Sequence, residues 1–157
     1  MEHAFAIYDS PIGGLMIEVS GDKLINLEIY PYGDDLEDDT FSHPNEFTDM
    51  IYAQIMEYIN GERTTFNIEI GFCRSTPFQI AVYNELMKIP YGETRSYKEI
   101  ATAIGNPKAS RAVGTANNHN PIHIIIPCHR VIGSRGALTG YAAGINTKAD
   151  LLKIEKR

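Results

Sequence analysis

Apolar residues alternate with polar ones near the start of the chain. Leu15, Ile17 and Val19 fall on every second position, the period of a strand with one buried face. Phe5-Ala6-Ile7-Tyr8 precedes them across the turn residues Asp9-Ser10-Pro11 and Gly13-Gly14. Leu24 to Ile29 follows the Gly21-Asp22 turn with a looser alternation. Residues 4–30 are therefore predicted to form a β-meander. The period then lengthens: Phe47, Met50, Ile51, Ile55, Tyr58 and Ile59 share one helical face, and Gly61 is the expected stop. Phe66, Ile68 and Ile70 alternate again and predict one further strand.

After Gly71 the pattern is helical. Thr76-Pro77 is an N-cap with proline at the first helical position, and Phe78, Ala81, Val82 and Leu86 form an apolar stripe running to Pro90-Tyr91-Gly92. Ser96 and Glu99 have the spacing of a capping box and open a short helix that Gly105 should close. Asn106-Pro107 starts another, with Ala109, Ala112, Val113 and Ala116 on one face. Two short helices separated by about one turn predict a helix-turn-helix. Asp150 to Arg157 can close a last helix.

Composition adds little until the chain is divided. The 157 residues with 43% hydrophobic content suit one or two globular domains and argue against disorder. A net charge of −6 would by itself exclude a nucleic-acid partner. Residues 1–75, however, carry 15 Asp/Glu against 3 Lys/Arg, whereas residues 76–157 carry 5 against 11, nets of −12 and +6. This asymmetry predicts two domains with different tasks, 1–75 and 76–157. Asp34, Asp35, Glu37, Asp38 and Asp39 read as an exposed acidic loop within residues 30–44. The opening residues lack a basic stretch followed by an apolar run, and the longest apolar runs, such as Ile124 to Ile126, are too short to span a membrane. Only Cys73 and Cys128 are present, which suggests reduced thiols, so a cytoplasmic protein without membrane contact is expected.

Two segments carry candidate chemistry. Lys108, Arg111 and Thr115 lie opposite the alanine stripe, with Gly114 on the same side, where a missing side chain would admit another backbone. That face is either a solvated helix surface or a DNA-contacting one, with cations for phosphates. The second segment is Ile122-His123-Ile124-Ile125-Ile126-Pro127-Cys128-His129-Arg130-Val131, a β-branched run that delivers a thiol beside an imidazole and a guanidinium. Adjacent cations or a histidine partner make a cysteine nucleophilic by favouring its thiolate. The alternative is a structural cysteine buried at the end of a core strand. A zinc site from His119, His123, Cys128 and His129 fits none of the standard spacings, so no metal is expected. Cys73, with only Arg74 as a charged neighbour, reads as packing.

Ile126-Pro127-Cys128-His129-Arg130-Val131-Ile132, followed by Gly140-Tyr141, resembles the signature of the O6-alkylguanine-DNA alkyltransferases. Thr76-Pro77-Phe78-Gln79, Gly92-Glu93-Thr94-Arg95-Ser96-Tyr97 and Gly105-Asn106-Pro107 extend the likeness, and Ser10-Pro11-Ile12-Gly13-Gly14-Leu15 is similar to the family's opening hairpin. The resemblance implies an α/β plus all-α fold: a small N-terminal ribonuclease-H-like α/β domain, then a C-terminal winged-helix-like helix-turn-helix domain. It implies irreversible, single-turnover transfer of an alkyl group from O6 of guanine in double-stranded DNA to Cys128, without cofactor, by a monomer. In that pattern His129 is the base, acting through a bridging water, Glu155 orients it, and Tyr97 donates a proton to guanine N3.

Arg111 matches the residue that replaces the flipped nucleotide from the minor groove, with Ala112, Gly114 and Thr115 as small neighbours. Lys108 and Arg130 join the DNA-facing set. Asn120 matches a hinge asparagine, and Tyr141, Ala142 and Val131 belong to the alkyl pocket. Tyr83, Ala142, Ala143 and His123 depart from residues common in the family, and the resemblance assigns His123 no role. The competing functions are a non-catalytic binder of alkylated DNA, which would lack the acceptor cysteine, and a thiol hydrolase, which would turn over.

Overall fold

Three strands, His3–Tyr8 (β1), Gly14–Ser20 (β2) and Lys23–Tyr30 (β3), form an antiparallel sheet in the order β1-β2-β3. The alternation reads through directly: Leu15, Ile17 and Val19 are fully buried, whereas Met16 and Glu18 remain partly exposed. A register shift between Glu18 and Val19 explains the looser pattern opposite, on β3. This computed structural model describes residues 3–30, 42–133, 136, 141 and 144–156. The acidic residues Asp34, Asp35, Glu37, Asp38 and Asp39, and likewise Gly140, Ala142 and Ala143, lie outside the described residues.

Helix Glu46–Ile59 (α1) packs on the sheet. Asn45 and Thr48 exchange capping hydrogen bonds at its start, and Ile51, Ile55, Tyr58 and Ile59 turn inward. The strand expected over Phe66–Ile70 is reduced to a single bridge between Ile70 and Leu24. The free edge of β3 is divided between two segments. Leu24 exchanges hydrogen bonds with Glu69 and Gly71, whereas Leu27 exchanges them with Pro121 and His123. Neither segment gains enough edge to propagate a ladder. The consequence matters more than the lost strand, because the sheet edge grips the segment that leads to Cys128.

The C-terminal part comprises the helices Pro77–Leu86 (α2), Tyr97–Ala103 (α3), Ser110–Asn118 (α4) and Ile145–Glu155 (α5), and a short parallel pair, Arg95–Ser96 (β4) with Val131–Ile132 (β5). The caps at Thr76 and Ser96 form as predicted. α2 is rotated from its expected stripe: Val82, Tyr83 and Leu86 are buried, while Phe78 and Ala81 are exposed. Tyr83 donates to the Ala116 carbonyl at 2.9 Å, so a polar tip with a partner takes the inward place. The last helix begins at Ile145, earlier than Asp150. A sheet domain followed by a helical one is the mixed α/β architecture the sequence predicts. Among the described residues, no helix is long and apolar enough to cross a membrane.

Candidate active site and nucleic-acid face

The β-branched run before Cys128 is not the strand it resembles. Asn120 clamps it, its Oδ1 accepting from the Ile122 amide at 3.0 Å and its Nδ2 donating to the Ile126 carbonyl at 2.8 Å. A polar side chain thereby takes backbone groups that a ladder would use. The chain turns back on itself, and Ile124 is held at a φ of 71°, a left-handed conformation costly for a β-branched residue. Asn120 therefore holds the turn that leads from α4 to the cysteine segment. Cys128, His129 and Arg130 form one 3₁₀ turn, which throws consecutive side chains in different directions around a single point.

Cys128 is fully buried. Its carbonyl accepts from Asn117 Nδ2 on α4 at 3.2 Å. Burial pushes the thiol up to about 11, against the pull of a hydrogen bond from Asn120, the Lys148 charge and the Tyr141 hydroxyl. In the closed site the group is a neutral thiol.

His129 Nε2 lies 2.6 Å from Glu155 Oε2, with both side chains buried. An ionised carboxylate only accepts, so Nε2 carries the proton and Nδ1 holds the basic lone pair. That Nδ1 is buried and has no hydrogen-bond partner among the described residues. Desolvation lowers the imidazole's pKa, with Glu155 opposing it, so the ring is neutral at rest.

Glu155 collects five hydrogen bonds among the described residues, from Tyr58 Oη, the Gly92 amide, His129 Nε2, and Arg130 Nε and Nη2. Burial alone would raise its pKa, but the donors of His129 and Arg130 outweigh it and hold the carboxyl well below the usual range. Arg130 corrects an expectation. Rather than facing DNA it is buried, its Nη1 donates to the Ile89 carbonyl at 2.7 Å, and its fork lies on Glu155. With a carboxylate and a carbonyl matched to its donors, the guanidinium has no reason to reach solvent.

Two members of this cluster escaped the sequence reading. Tyr58 lies on the inward face of α1, and its hydroxyl belongs to the N-terminal half, yet it donates to Glu155 at 2.5 Å. The signal was available, since a tyrosine on a core stripe needs a partner for its hydroxyl. Lys148 is fully buried, and its Nζ donates to the Val131 carbonyl at 2.5 Å. Burial lowers this ammonium to about 8. Lys148, Leu151 and Glu155 share a helical face, a pattern visible only once α5 is started at Ile145.

The remaining candidates lie on β5, α3, α4 and the segment before α5. Val131 is buried and pairs with Arg95, so the parallel β4–β5 pair brings the start of α3, with Tyr97, alongside the cysteine turn. Tyr97 is half-buried, and its ring lies against Gly114. Tyr141 is buried, and burial and the neighbouring Cys128 raise its pKa well above the usual value. Lys108, Arg111, Ala112 and Thr115 are exposed on or just before α4, and Gly114 is half-buried. Among the described residues, neither Lys108 nor Arg111 enters an ion pair. The three imidazoles weighed for zinc have separate partners: His119 the Thr115 carbonyl, His123 the Tyr141 hydroxyl, and His129 Glu155.

Known proteins resemble the chain over nearly its whole length. Residues 4–72 match the family described as 6-O-methylguanine DNA methyltransferase, ribonuclease-like domain, and residues 77–157 match its DNA binding domain. A methylated-DNA–protein-cysteine methyltransferase of Methanosarcina acetivorans is 47% identical over 152 residues, covering 96% of this chain and 97% of its own. The crystal structure of the Mycobacterium tuberculosis O6-methylguanine methyltransferase superposes with a TM-score of 0.86 at 46% identity, over 99% of this chain and 93% of that one. A crystal structure of Mycobacterium tuberculosis OGT in complex with DNA gives the same TM-score at 47% identity, over 97% and 92%.

Proposed function

The chain belongs to the family of methylated-DNA–protein-cysteine methyltransferases, and from that premise we propose that it repairs O6-alkylguanine in double-stranded DNA by taking the alkyl group onto Cys128. The observation that carries the reading is the buried Glu155–His129 pair next to the buried Cys128, in which a carboxylate holds Nε2 while the basic Nδ1 has no partner among the described residues.

The thiol gives its proton to His129 Nδ1, directly or through one water, and the imidazolium that forms is stabilised by Glu155. The sulfur attacks the alkyl carbon as the carbon–O6 bond breaks. The guanine leaves as an anion, and the Tyr97 hydroxyl supplies a proton at N3. The carbon–sulfur bond of the resulting thioether is not hydrolysed, so each molecule acts once. No cofactor takes part.

A guanine O6 within the stack cannot reach a buried thiol, so the nucleotide must be extruded. The exposed Arg111 on α4, without an ion pair among the described residues, fills its place from the minor groove. Ala112, Gly114 and Thr115 permit close approach, and Lys108 meets phosphate. The buried Tyr141 and Val131 line the alkyl pocket. The protein works as a monomer, and its two unpaired cysteines suit the reducing cytoplasm.

Intact-mass spectrometry after incubation with duplex DNA carrying O6-methylguanine tests this reading. One methyl per chain is expected, mapping to Cys128 and absent from Cys128→Ser. Tight binding of the lesion with Cys128 unmodified would replace transfer by simple recognition.

A further inference from the structure

The proposed chemistry leaves the buried His123 without a task. His123 stands between Ile122 and Ile124, only 5% exposed, where every neighbour in the run is aliphatic. A polar ring in such a place needs a partner, and its Nδ1 lies 3.0 Å from the Tyr141 hydroxyl. The two rings meet edge to face, with centroids 5.2 Å apart at 77°, so the contact fixes the phenol's orientation as well as its position. The imidazole is itself anchored, because the His123 amide donates to the Leu27 carbonyl of β3 at 2.9 Å and its carbonyl accepts from Ile125. On its other side the Tyr141 hydroxyl acts on Cys128, favouring the thiolate, while the sulfur in turn holds the phenol in its protonated form. His123, Tyr141 and Cys128 thus form a second line to the sulfur, separate from that of His129 and Glu155.

We propose that His123 is a positioning residue for alkyl transfer: its Nδ1–H donates to the Tyr141 oxygen, which commits the single phenolic proton to the Cys128 sulfur. A phenol has one proton and two candidate acceptors here. With Nδ1 protonated, that proton can go only to sulfur, where it stabilises the thiolate as it forms. The alternative tautomer would draw the proton to the imidazole and leave the sulfur without it. Burial and the nearby His129 lower the His123 pKa to about 4, so the imidazole stays neutral in the working range and acts by hydrogen bonding rather than by charge. Other groups facing Cys128 are Lys148 from α5, Asn120 from the hinge, Tyr83 from α2 and His129 beside it, and these stay constant through the comparison below.

The proposal rests on the alkyl-transfer reading, and its test has one arm that does not. Single-turnover methyl transfer from duplex O6-methylguanine is followed across pH by intact mass for wild type, His123→Leu, His123→Asn and Tyr141→Phe. Leucine at 123 should slow transfer about tenfold, the loss of one hydrogen bond to a forming charge. It should also move the midpoint of the pH–rate profile upward by roughly one unit. Asparagine, whose Nδ2 stands where Nδ1 did, should restore most of the rate and the midpoint. Tyr141→Phe should reproduce the leucine phenotype, and adding His123→Leu to it should cost little more. An unmoved midpoint in Tyr141→Phe, or full additivity in the double variant, overturns the proposal. The second arm is the ¹⁵N spectrum of histidine-labelled protein without DNA. Its expected signal is a neutral His123 protonated at Nδ1, altered in Tyr141→Phe, and protonation at Nε2 alone overturns the proposal. A protein that accepts no methyl but shows this tautomer refutes the transfer reading and not the hydrogen-bond chain.

Discussion

Two places in the basic half of the chain hold arginines that the sequence treats alike. Around Glu155, Arg130 is buried and its donors meet a carboxylate and a carbonyl. On α4, Arg111 is exposed and makes no ion pair among the described residues. The first charge builds the site, and the second remains available to something outside the protein. A charge count places both in the same +6 and cannot separate them. Burial can, because a buried charge must be neutralised within the fold, whereas a free one keeps its field for phosphate.

The largest effect should come from breaking the buried member of this pair. Glu155→Gln leaves Arg130 without its counter-charge and His129 without an anionic partner. Unfolding free energy should fall by roughly 3 kcal/mol or more, the cost of an uncompensated buried charge. Methyl transfer should fall about a hundredfold or more, since the imidazolium loses its stabilisation. Tyr58→Phe removes one donor of the five and should cost about 1 kcal/mol, with most activity kept. Urea unfolding and single-turnover assays on both variants check the order. Equal losses would show that the carboxylate is not the centre of the cluster.

Arg111→Ala probes the free member. Its unfolding midpoint should match wild type, because the side chain is exposed and enters no ion pair among the described residues. Repair of duplex should fall steeply, while transfer from the free alkylated base should fall much less. Parallel losses on both substrates would remove Arg111 from nucleotide extrusion. With the Glu155 variants, this separates a stability phenotype from a recognition phenotype for two arginines of one domain.

Acid should weaken the buried cluster before it touches the α4 face. His123 and His129 both have folded pKa values below the unfolded value near 6.5. The unfolded chain therefore binds more protons in that window, and stability is lost as pH falls below about 6.5. For His123 the loss runs down to about 4. Each histidine adds a slope of at most about 1.4 kcal/mol per pH unit. Glu155, with its pKa depressed, has the opposite parentage and the same sign: its contribution is present above the unfolded carboxylate value near 4.3 and lost as pH falls further. Urea titrations from pH 7 to 4.5 should show the decline, and His123→Asn should flatten it by up to one proton. An unchanged slope in that variant would mean that His123 does not titrate on unfolding.

How far the sequence reaches follows from the same distinction between local and shared constraints. The meander and the caps at Thr76 and Ser96 depend on residues within a few positions of each other, and all form as read. The Phe66–Ile70 strand fails because β3 has one free edge and two claimants for it, a competition that no local alternation records. The run before Cys128 fails as a strand because Asn120, a single polar residue upstream, captures the backbone at both ends of the loop. Cys128 and His129 were legible from their adjacency. Glu155 was legible only through family resemblance, and Tyr58 comes from the other half of the chain, so its place beside Glu155 exists only after the two halves pack.

The smallest expected effect bears most directly on what approaches α4. In the protein alone, a Cβ at Gly114 would meet only the Tyr97 ring carbons, at 3.8 Å, an ordinary contact. Its φ lies outside the positive range, so the backbone does not require glycine either. Alanine there should raise helix stability by up to about 1 kcal/mol. Glycine at this position therefore has no explanation inside the fold, and the candidate outside it is a nucleic-acid backbone resting on the helix. Gly114→Ala should then melt at or slightly above the wild-type temperature while binding lesion-bearing duplex severalfold more weakly, the methyl intruding on a contact it does not disturb in the free protein. If affinity is unchanged, the duplex does not approach α4 at Gly114, and the docking face must be re-centred on Arg111 and Lys108.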